Sequence, residues 1–148
     1  MRTVRVAMRF PASVHEAESC WYDAARWPNW VDGLDRIVAL SADWPRAGAT
    51  VAWESGPAGR GSVRERVIAY EPLVGQLLEV QDDSIRGRQS VAFAPADGGV
   101  EVALTLEYRI IRRSVFMPVI DFLFVGRAMA ASMSTTLARF GGELPSRH

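Results

Sequence analysis

The chain has 148 residues, a length that fits one domain with a sizeable buried core. Its 17 basic and 17 acidic residues give a formal net charge of +0, and no basic cluster is denser than Arg112-Arg113, so we expect no nucleic-acid partner. Every one of the basic residues is an arginine, and the absence of lysine excludes a Schiff-base lysine and the lysine of a phosphate-binding loop.

Cysteine content and hydropathy bear on the compartment. A single cysteine, Cys20, excludes an internal disulfide and a cysteine zinc site and fits a reducing cytoplasm. The first ten residues alternate in polarity instead of forming the apolar run of a signal peptide. The apolar stretch 115–125 is interrupted by Asp121 and is shorter than the ~20 residues that a membrane span needs. We expect a cytoplasmic protein without stable membrane insertion.

The beginning of the chain predicts a strand followed by two short helices. Residues 3–10 alternate between apolar and polar side chains, as in a half-buried strand. Ser13 and Glu16 have the spacing of a capping box, and they open a helix that is expected to run to about Ala25. A second short helix has Pro28 in its first turn, where proline is tolerated.

The middle of the chain predicts an antiparallel meander of six strands. Turn signals rich in glycine, proline and aspartate separate the segments. The segments are residues 34–42, 49–55, 61–71, 74–83, 86–94 and 99–111. In the last of them, apolar side chains occupy every second position from Val100 to Tyr108. No repeat or linker divides the chain, so we predict one domain over residues 1–148.

The last third of the chain, from Ser114 to Phe140, predicts one long helix. Ser114 is the expected N-cap and Gly141-Gly142 the expected stop. A helix this apolar needs a large surface to cover it, and the strands provide one. We predict an α+β fold of order β-α-α-β6-α, in which a seven-stranded curved antiparallel sheet wraps the helix. Such a sheet cannot pack flush on one cylinder, which predicts a cavity between the two.

Several segments resemble a known superfamily. They are Pro11-Ala12-Ser13-Val14, Trp27-Pro28-Asn29-Trp30, Gly48-Ala49-Thr50-Val51, Val67-Ile68-Ala69-Tyr70-Glu71-Pro72 and the Gly98-Gly99 hairpin before a long strand and terminal helix. In this order they resemble the START-like, birch-pollen-allergen-like superfamily (SRPBCC), and within it the polyketide cyclase/dehydrase and lipid-transport family. The resemblance covers nearly the whole chain. It implies a helix-grip fold with an internal cavity for a hydrophobic ligand, which members either carry or transform.

The sequence contains no residue set that defines a catalytic class. His15 lies in a first helical turn and His148 ends the chain, whereas a zinc site needs three or four convergent ligands. The glycine-rich stretch from Gly56 to Gly61 lies between strands and is interpreted as a hairpin loop, not a phosphate-binding loop. We expect neither a metal nor a cofactor.

Two charged strand residues are candidates for contact with a ligand. Glu65 shares a face of its strand with Val63 and Val67, and if that face is inside, a carboxylate with a raised pKa could act as an acid or base. The reversed register, or an arginine on a neighbouring strand, would instead leave it an ordinary surface or paired group. Arg88 could hold an acidic or carbonyl group if it faces inward, and it is solvated if it does not.

Three aromatic residues complete the candidate ligand-binding set. Trp53 is expected in the cavity wall, and Tyr108 could place its hydroxyl over a ligand, although both fit a plain core equally well. Phe124 belongs to the apolar start of the last helix, where Phe116 and Phe122 cannot all face the sheet as well. Some of these side chains must line the cavity mouth, a homodimer contact or a lipid surface.

Three functional hypotheses follow. In the first, the protein binds a hydrophobic small molecule such as a lipid or polyketide without transforming it, and Glu65, Arg88 and Tyr108 set its orientation. In the second, it is a polyketide cyclase or aromatase that uses Glu65 and Tyr108 in aldol closure and dehydration. In the third, it binds a partner through residues 116–124. No pair of titratable groups has a fixed position in the sequence, which favours binding over catalysis.

Overall fold

The computed structural model describes residues 1–56, 60–111 and 118–145, and it describes the side chains of the last range from residue 125 onward. The elements are β1 (Arg2–Phe10), α1 (Val14–Trp21), α2 (Trp27–Trp30), β2 (Leu34–Leu40), β3 (Thr50–Ser55), β4 (Ser62–Glu71), β5 (Gly75–Gln81), β6 (Ile85–Ala96), β7 (Gly99–Ile110) and α3 (Pro118–Glu143). A 3-10 turn at Ala24–Arg26 joins α1 to α2. The predicted α+β order is confirmed.

The seven strands form one antiparallel sheet in the order β1-β7-β6-β5-β4-β3-β2. From β2 to β7 each strand pairs with its successor in the chain, as the meander predicts. The sheet is completed by β1, which pairs with β7 from Arg2 opposite Tyr108 to Phe10 opposite Val100. Since β1 and β2 therefore lie on opposite edges, the two short helices connect one edge with the other.

Each predicted strand agrees with the structure to within two residues at either end, but the ends of two helices do not. The first helix ends at Trp21, not Ala25, because the backbone of Asp23 is extended. The Trp21 carbonyl accepts a hydrogen bond from the indole N–H of Trp27 at 2.8 Å. The last helix continues through Gly141 to Glu143. A Cβ at Gly141 would lie 2.8 Å from the Phe10 ring, so this glycine permits close packing and does not end the helix. The predicted N-cap, Ser114, is outside the described residues.

The C-terminal half of α3 is fixed against the sheet by aromatic packing. Phe140 is fully buried, and its ring centroid lies 5.0 Å from that of Trp30, 5.1 Å from Trp21 and 5.6 Å from Phe10. Met133 and Leu137 are buried on the same side of the helix, as their spacing predicts. This packing decides where α3 lies over the inner face of the sheet.

A second set of contacts joins α3 to the turn between α2 and β2. The backbone N–H of Asp32 donates to Thr136 Oγ1 at 3.0 Å, and the Ser132 hydroxyl donates to Asp32 Oδ2 at 2.8 Å. Arg139 lies 3.4 Å from the other oxygen of the same carboxylate. The helix is therefore held at both the aromatic cluster and this turn, and the space beside its middle stays open.

Candidate ligand-binding site

A cavity of about 90 Å³ lies between the inner face of the sheet, α2 and α3. All five tryptophans of the chain line it, together with aliphatic side chains and a few polar ones. The polar residues are Asp32, Arg60, Glu65, Gln76, Gln89, Ser132 and Thr136. Pockets for drug-sized ligands usually measure about 300–1,000 Å³. The cavity is thus large enough for one ring-sized group, and a larger ligand requires it to widen.

Glu65 lies on the cavity side of β4. Val63 and Val67, two residues to either side of it, are 0% and 2% exposed and belong to the core, which places the valine face of the strand inside. The indole N–H of Trp53, on the neighbouring strand, donates to Glu65 Oε1 at 3.0 Å. Trp53 and Glu65 both line the cavity. This agrees with the alternative in which the strand face that carries Val63, Glu65 and Val67 is inside.

The environment of Glu65 changes its acidity. Burial raises the pKa of this carboxyl above its ordinary value of 4.5, because the charged form loses its hydration. The hydrogen bond from Trp53 and the positive charge of Arg60 oppose the change but do not cancel it. The carboxyl therefore holds its proton to a higher pH than an exposed glutamate does.

Arg60 is held at the same end of the cavity. Its Nε donates to Asp82 Oδ2 at 2.7 Å, and the Asp82 carboxylate, with a side chain 1% exposed, also accepts from the backbone N–H groups of Ser84 and Ile85 at 2.8 and 2.9 Å. The guanidinium carbon lies 5.5 Å from the ring centroid of Trp53. These contacts fix the group, yet its Nη2 is buried and has no hydrogen-bond partner among the described residues.

A second buried donor without a partner lines the same cavity. The indole N–H groups of Trp27, Trp44 and Trp53 donate to Trp21 O, Tyr22 O and Glu65. Trp30 is 1% exposed, and in the described part of the chain its Nε1 meets no acceptor. Buried donors are nearly always paired, and an unpaired one costs about 1–3 kcal/mol. Trp30 and Arg60 both line the cavity and each carries such a donor, whereas the other two buried atoms without partners among the described residues, the Tyr22 and Tyr108 hydroxyls, belong to residues outside the described lining.

Two of the predicted ligand contacts, Arg88 and Tyr108, are not in the described lining, and a third, Phe124, is not described. Arg88 is exposed on the outer face of β6, so the expectation that it faces inward is wrong, and the alternating strand places Gln89 in the cavity instead. Tyr108 is fully buried and is not among the described lining residues; a Cβ at Gly126 of α3 would lie 3.3 Å from its hydroxyl, which has no hydrogen-bond partner in the described part of the chain. The side chain of Phe124 lies outside the described residues, as do those of the proposed partner-binding stretch 116–124.

Trp30 and Arg60 were not identified from the sequence as candidate ligand contacts. In the sequence, Trp30 appears only as the last residue of the segment Trp27-Pro28-Asn29-Trp30, which supports the family resemblance. Its spacing does not distinguish its indole group from those of the other four tryptophans. Arg60 directly precedes β4, and the pairing of Arg64 with Gln81 brings it to the turn that carries Asp82. That pairing was the available signal, and it needs the register of the hairpin to be known.

Two further findings concern metals and membranes. Among the described residues, no group of three or more His, Cys, Asp or Glu side chains could hold a metal ion. Within the same ranges, none of the helices combines the length and the apolar character that crossing a membrane demands.

A seven-stranded antiparallel sheet that packs around a C-terminal helix, with a cavity between them, is the birch-pollen-allergen-like helix-grip fold. Within that fold class, the family model described as polyketide cyclase / dehydrase and lipid transport matches residues 1–144, and the chain belongs to this family. No curated protein matches the sequence.

Solved structures confirm the fold. Protein CV1439 from Chromobacterium violaceum has a TM-score of 0.71 at 12% identity, covering 99% of this chain and 100% of its own. The di-domain ARO/CYC StfQ from the steffimycin biosynthetic pathway has a TM-score of 0.78 at 12% identity, covering 96% of this chain and 50% of its own. A norcoclaurine synthase mutant from Thalictrum flavum, in complex with a transition-state analogue, has a TM-score of 0.66 at 12% identity. The match covers 96% of this chain and 94% of the norcoclaurine synthase chain.

Proposed function

We propose that the protein binds a hydrophobic small molecule, lipid-like or polyketide-like, in the cavity between the sheet and α3. The observation that carries the proposal is that two of the four buried side-chain atoms without partners among the described residues, Trp30 Nε1 and Arg60 Nη2, belong to residues lining a cavity of mainly aromatic and aliphatic side chains. Apolar burial supplies affinity, at about 25 cal/mol per Å² before the costs of ordering. The donors supply orientation by binding an oxygen of the ligand.

The two donors favour an oxygenated ligand over a plain hydrocarbon. A ligand with a carbonyl or carboxylate oxygen satisfies a buried N–H group, whereas a hydrocarbon leaves it unpaired at a cost of about 1–3 kcal/mol. That difference corresponds to about a ten- to hundredfold difference in affinity. Poly-β-keto chains carry such oxygens at regular intervals, and the family to which the chain belongs is described as polyketide cyclase / dehydrase and lipid transport. Both points support the polyketide-like alternative.

The size of the cavity limits how the ligand enters. A space of about 90 Å³ accepts a ring-sized group, so a longer ligand has to displace part of the lining. Met129 and Met133 line the α3 side, and methionine is the apolar side chain that adapts its shape most readily. We expect the cavity to widen on that side while the anchored Trp53 and Arg60 keep their places.

The proposal is tested with two ligands of the same shape. Acetophenone carries a carbonyl oxygen that ethylbenzene lacks, so we expect calorimetric titration to show that acetophenone binds about tenfold or more tightly. Trp30→Phe should reduce this preference, because it removes one donor and keeps an aromatic ring. Equal binding of the two ligands, or binding of neither, would contradict the proposal. Mass spectrometry of the natively purified protein then identifies any ligand that it retains.

A second candidate function is catalysis, and one observation favours it. The Glu65 carboxyl lines the cavity, has a raised pKa and is held by Trp53, so it could exchange a proton with a bound poly-β-keto chain during aldol closure and dehydration. Glu65→Gln keeps an oxygen for the Trp53 hydrogen bond and removes the acid. If a poly-β-ketone mimic is turned over by the wild type and is only bound by this variant, the protein is an enzyme. Absence of turnover by the wild type leaves the binding function alone.

A further inference from the structure

The outer face of the sheet carries a groove that the proposed function does not use. Its volume is about 730 Å³, and it extends from β3 to β7 on the side opposite the cavity. Five arginines line it, namely Arg64 and Arg66 on β4, Arg86 and Arg88 on β6, and Arg109 on β7. The outward-facing carboxylate among the lining residues is that of Glu79 on β5, between the two pairs. We refer to these five arginines as the arginine groove.

Most of the positive charge in the arginine groove is not neutralised. Arg66 lies 3.3 Å from Glu79, with side chains 60% and 47% exposed, and Arg86 donates twice to Gln81 Oε1, at 2.9 and 3.2 Å. The guanidinium groups of Arg64, Arg88 and Arg109 make no hydrogen bond or ion pair with any described residue. Arg88 nevertheless lies directly opposite Glu79 on β5 and Glu107 on β7 in the sheet register, whereas Arg64 lies opposite Gln81, and Arg109 lies opposite Arg86.

The register makes this arrangement costly for the free protein. Arg86 and Arg109 occupy directly opposite positions on β6 and β7, and like charges placed in this way destabilise a sheet. Elsewhere on the outer face, opposite charges are paired, as in Arg36 with Glu54 at 2.9 Å and Arg9 with Glu101 at 3.6 Å. Within the groove, Arg66 and Glu79 form an ion pair, while Arg64, Arg88 and Arg109 have none among the described residues.

We infer that the arginine groove docks an acidic helix of a partner protein. Residues two apart on a strand are separated by about 6.6 Å, close to the roughly 5–6 Å between the Cβ atoms of residues one turn apart on a helix. The two arginine-bearing strands flank β5 and are therefore about 9.5 Å apart, which matches the ~10 Å width of a helix. A helix lying along β5 meets Arg64 and Arg66 on one side and Arg86 and Arg88 on the other. Each guanidinium can bind a carboxylate through two N–H groups.

The shape and lining of the groove favour an acidic helix over an anionic membrane or a nucleic acid. A planar anionic bilayer would contact the rim of a concave surface and not its lining. Single-stranded nucleic acid binds through aromatic side chains that stack on bases, and no aromatic residue lines the described groove. Charge complementarity with an acidic helix predicts fast, salt-sensitive association. This inference does not depend on what the cavity binds.

The full-length protein can be titrated with a fluorescent, stapled acidic helix that carries glutamate pairs one turn apart, at low and high salt. We expect binding at low salt, and about tenfold weaker binding by the variant Arg64→Gln, Arg88→Gln, Arg109→Gln. The matched control Arg5→Gln, Arg46→Gln, Arg127→Gln removes the same charge from exposed positions outside the groove. It should bind within about twofold of the wild type.

Several outcomes overturn the inference. One is that neither variant differs from the wild type, and another is that both lose affinity equally, since net charge would then explain the binding. Failure of the wild type to bind the helix at low salt is a third. Tighter, groove-dependent binding to phosphatidylserine vesicles or to oligo-dT would assign the groove to a membrane or a nucleic acid instead. Backbone amide shifts confined to β4, β5 and β6 would support docking at the predicted place.

Discussion

The inner and outer faces of the sheet are built from the same strands but use charge in opposite ways. On β4, Glu65 faces the cavity and has a defined donor, Trp53, and an altered pKa. Its neighbours Arg64 and Arg66 face the outside, and Arg64 has no partner among the described residues. One strand therefore carries an acid held by a hydrogen bond on one side and exposed arginines on the other. Because successive side chains of a strand point to opposite faces of the sheet, adjacent residues of β4 lie in these two different environments.

Substitutions on the inner face of the sheet should have larger effects on stability than substitutions on the outer face. Inner-face groups have lost their water, so removing a partner leaves an unsatisfied group in a medium that screens charge poorly. Outer-face arginines keep their water, and salt screens their interactions beyond about 10 Å. We therefore expect inner-face changes to alter stability and ligand binding, and outer-face changes to alter partner binding with little effect on stability.

The largest effect is expected at the aromatic anchor of α3. Phe140→Ala removes a fully buried ring that packs against three others, and it should lower the free energy of unfolding by about 3–5 kcal/mol. Urea denaturation followed by circular dichroism measures the change. A loss below about 1 kcal/mol would show that α3 is not anchored at this cluster.

The next effect concerns the buried carboxylate that holds Arg60. Asp82→Ala leaves two backbone N–H groups and a guanidinium without their acceptor, and we expect a loss of about 2–3 kcal/mol of stability. The adjacent Asp83 is exposed, so Asp83→Ala is the matched control and should change stability by less than about 0.5 kcal/mol. Similar losses in both variants would contradict the assigned role of Asp82.

A smaller, pH-dependent effect is expected at Glu65. Because its folded pKa is raised, the folded state holds this proton more tightly than the unfolded state does. Its contribution to stability is complete below the ordinary pKa of 4.5 and is lost as the pH rises from there to the folded pKa. Glu65→Gln should remove this fall from the stability–pH curve. If the wild-type and variant curves run parallel above pH 4.5, the carboxyl is not desolvated.

The smallest effect is expected on the outer face. Arg109→Gln relieves the repulsion from Arg86 and should leave stability within about 0.5 kcal/mol of the wild type, with a slight gain at low salt. Thermal unfolding at low and high salt measures this, and the gain should disappear at high salt. A clear loss of stability at both salt concentrations would mean that Arg109 has a structural role.

Most of the fold could be predicted from the sequence because the alternation of apolar and polar residues and the positions of turn residues indicated the same strands. Alternation identified the faces of β1 and β7, and turn residues bounded the strands between them. The helix ends were less predictable, since Gly141 has the appearance of a stop and in fact permits contact with Phe10. A glycine that serves packing and one that serves termination look the same until the neighbouring element is placed.

The site was less predictable, for a reason that β6 illustrates. Arg86, Arg88 and Ser90 alternate with Gly87, Gln89 and Val91, so both faces of this half of the strand contain polar residues, and polarity does not identify the inner one. The inner face of β4 was clearer because two valines flank Glu65. Arg60 and Trp30 depend on contacts between distant parts of the chain, which spacing along the sequence does not contain.

The claim on which the functional account depends is that an oxygen of the ligand meets the indole of Trp30 inside the cavity. Proton–nitrogen correlation spectra of the tryptophan indole groups test it directly, with the Trp30 signal assigned by its disappearance in Trp30→Phe. We predict that acetophenone moves this signal downfield and that ethylbenzene does not, because only the ketone accepts a hydrogen bond. Identical responses to the two ligands, or none to either, would contradict the account.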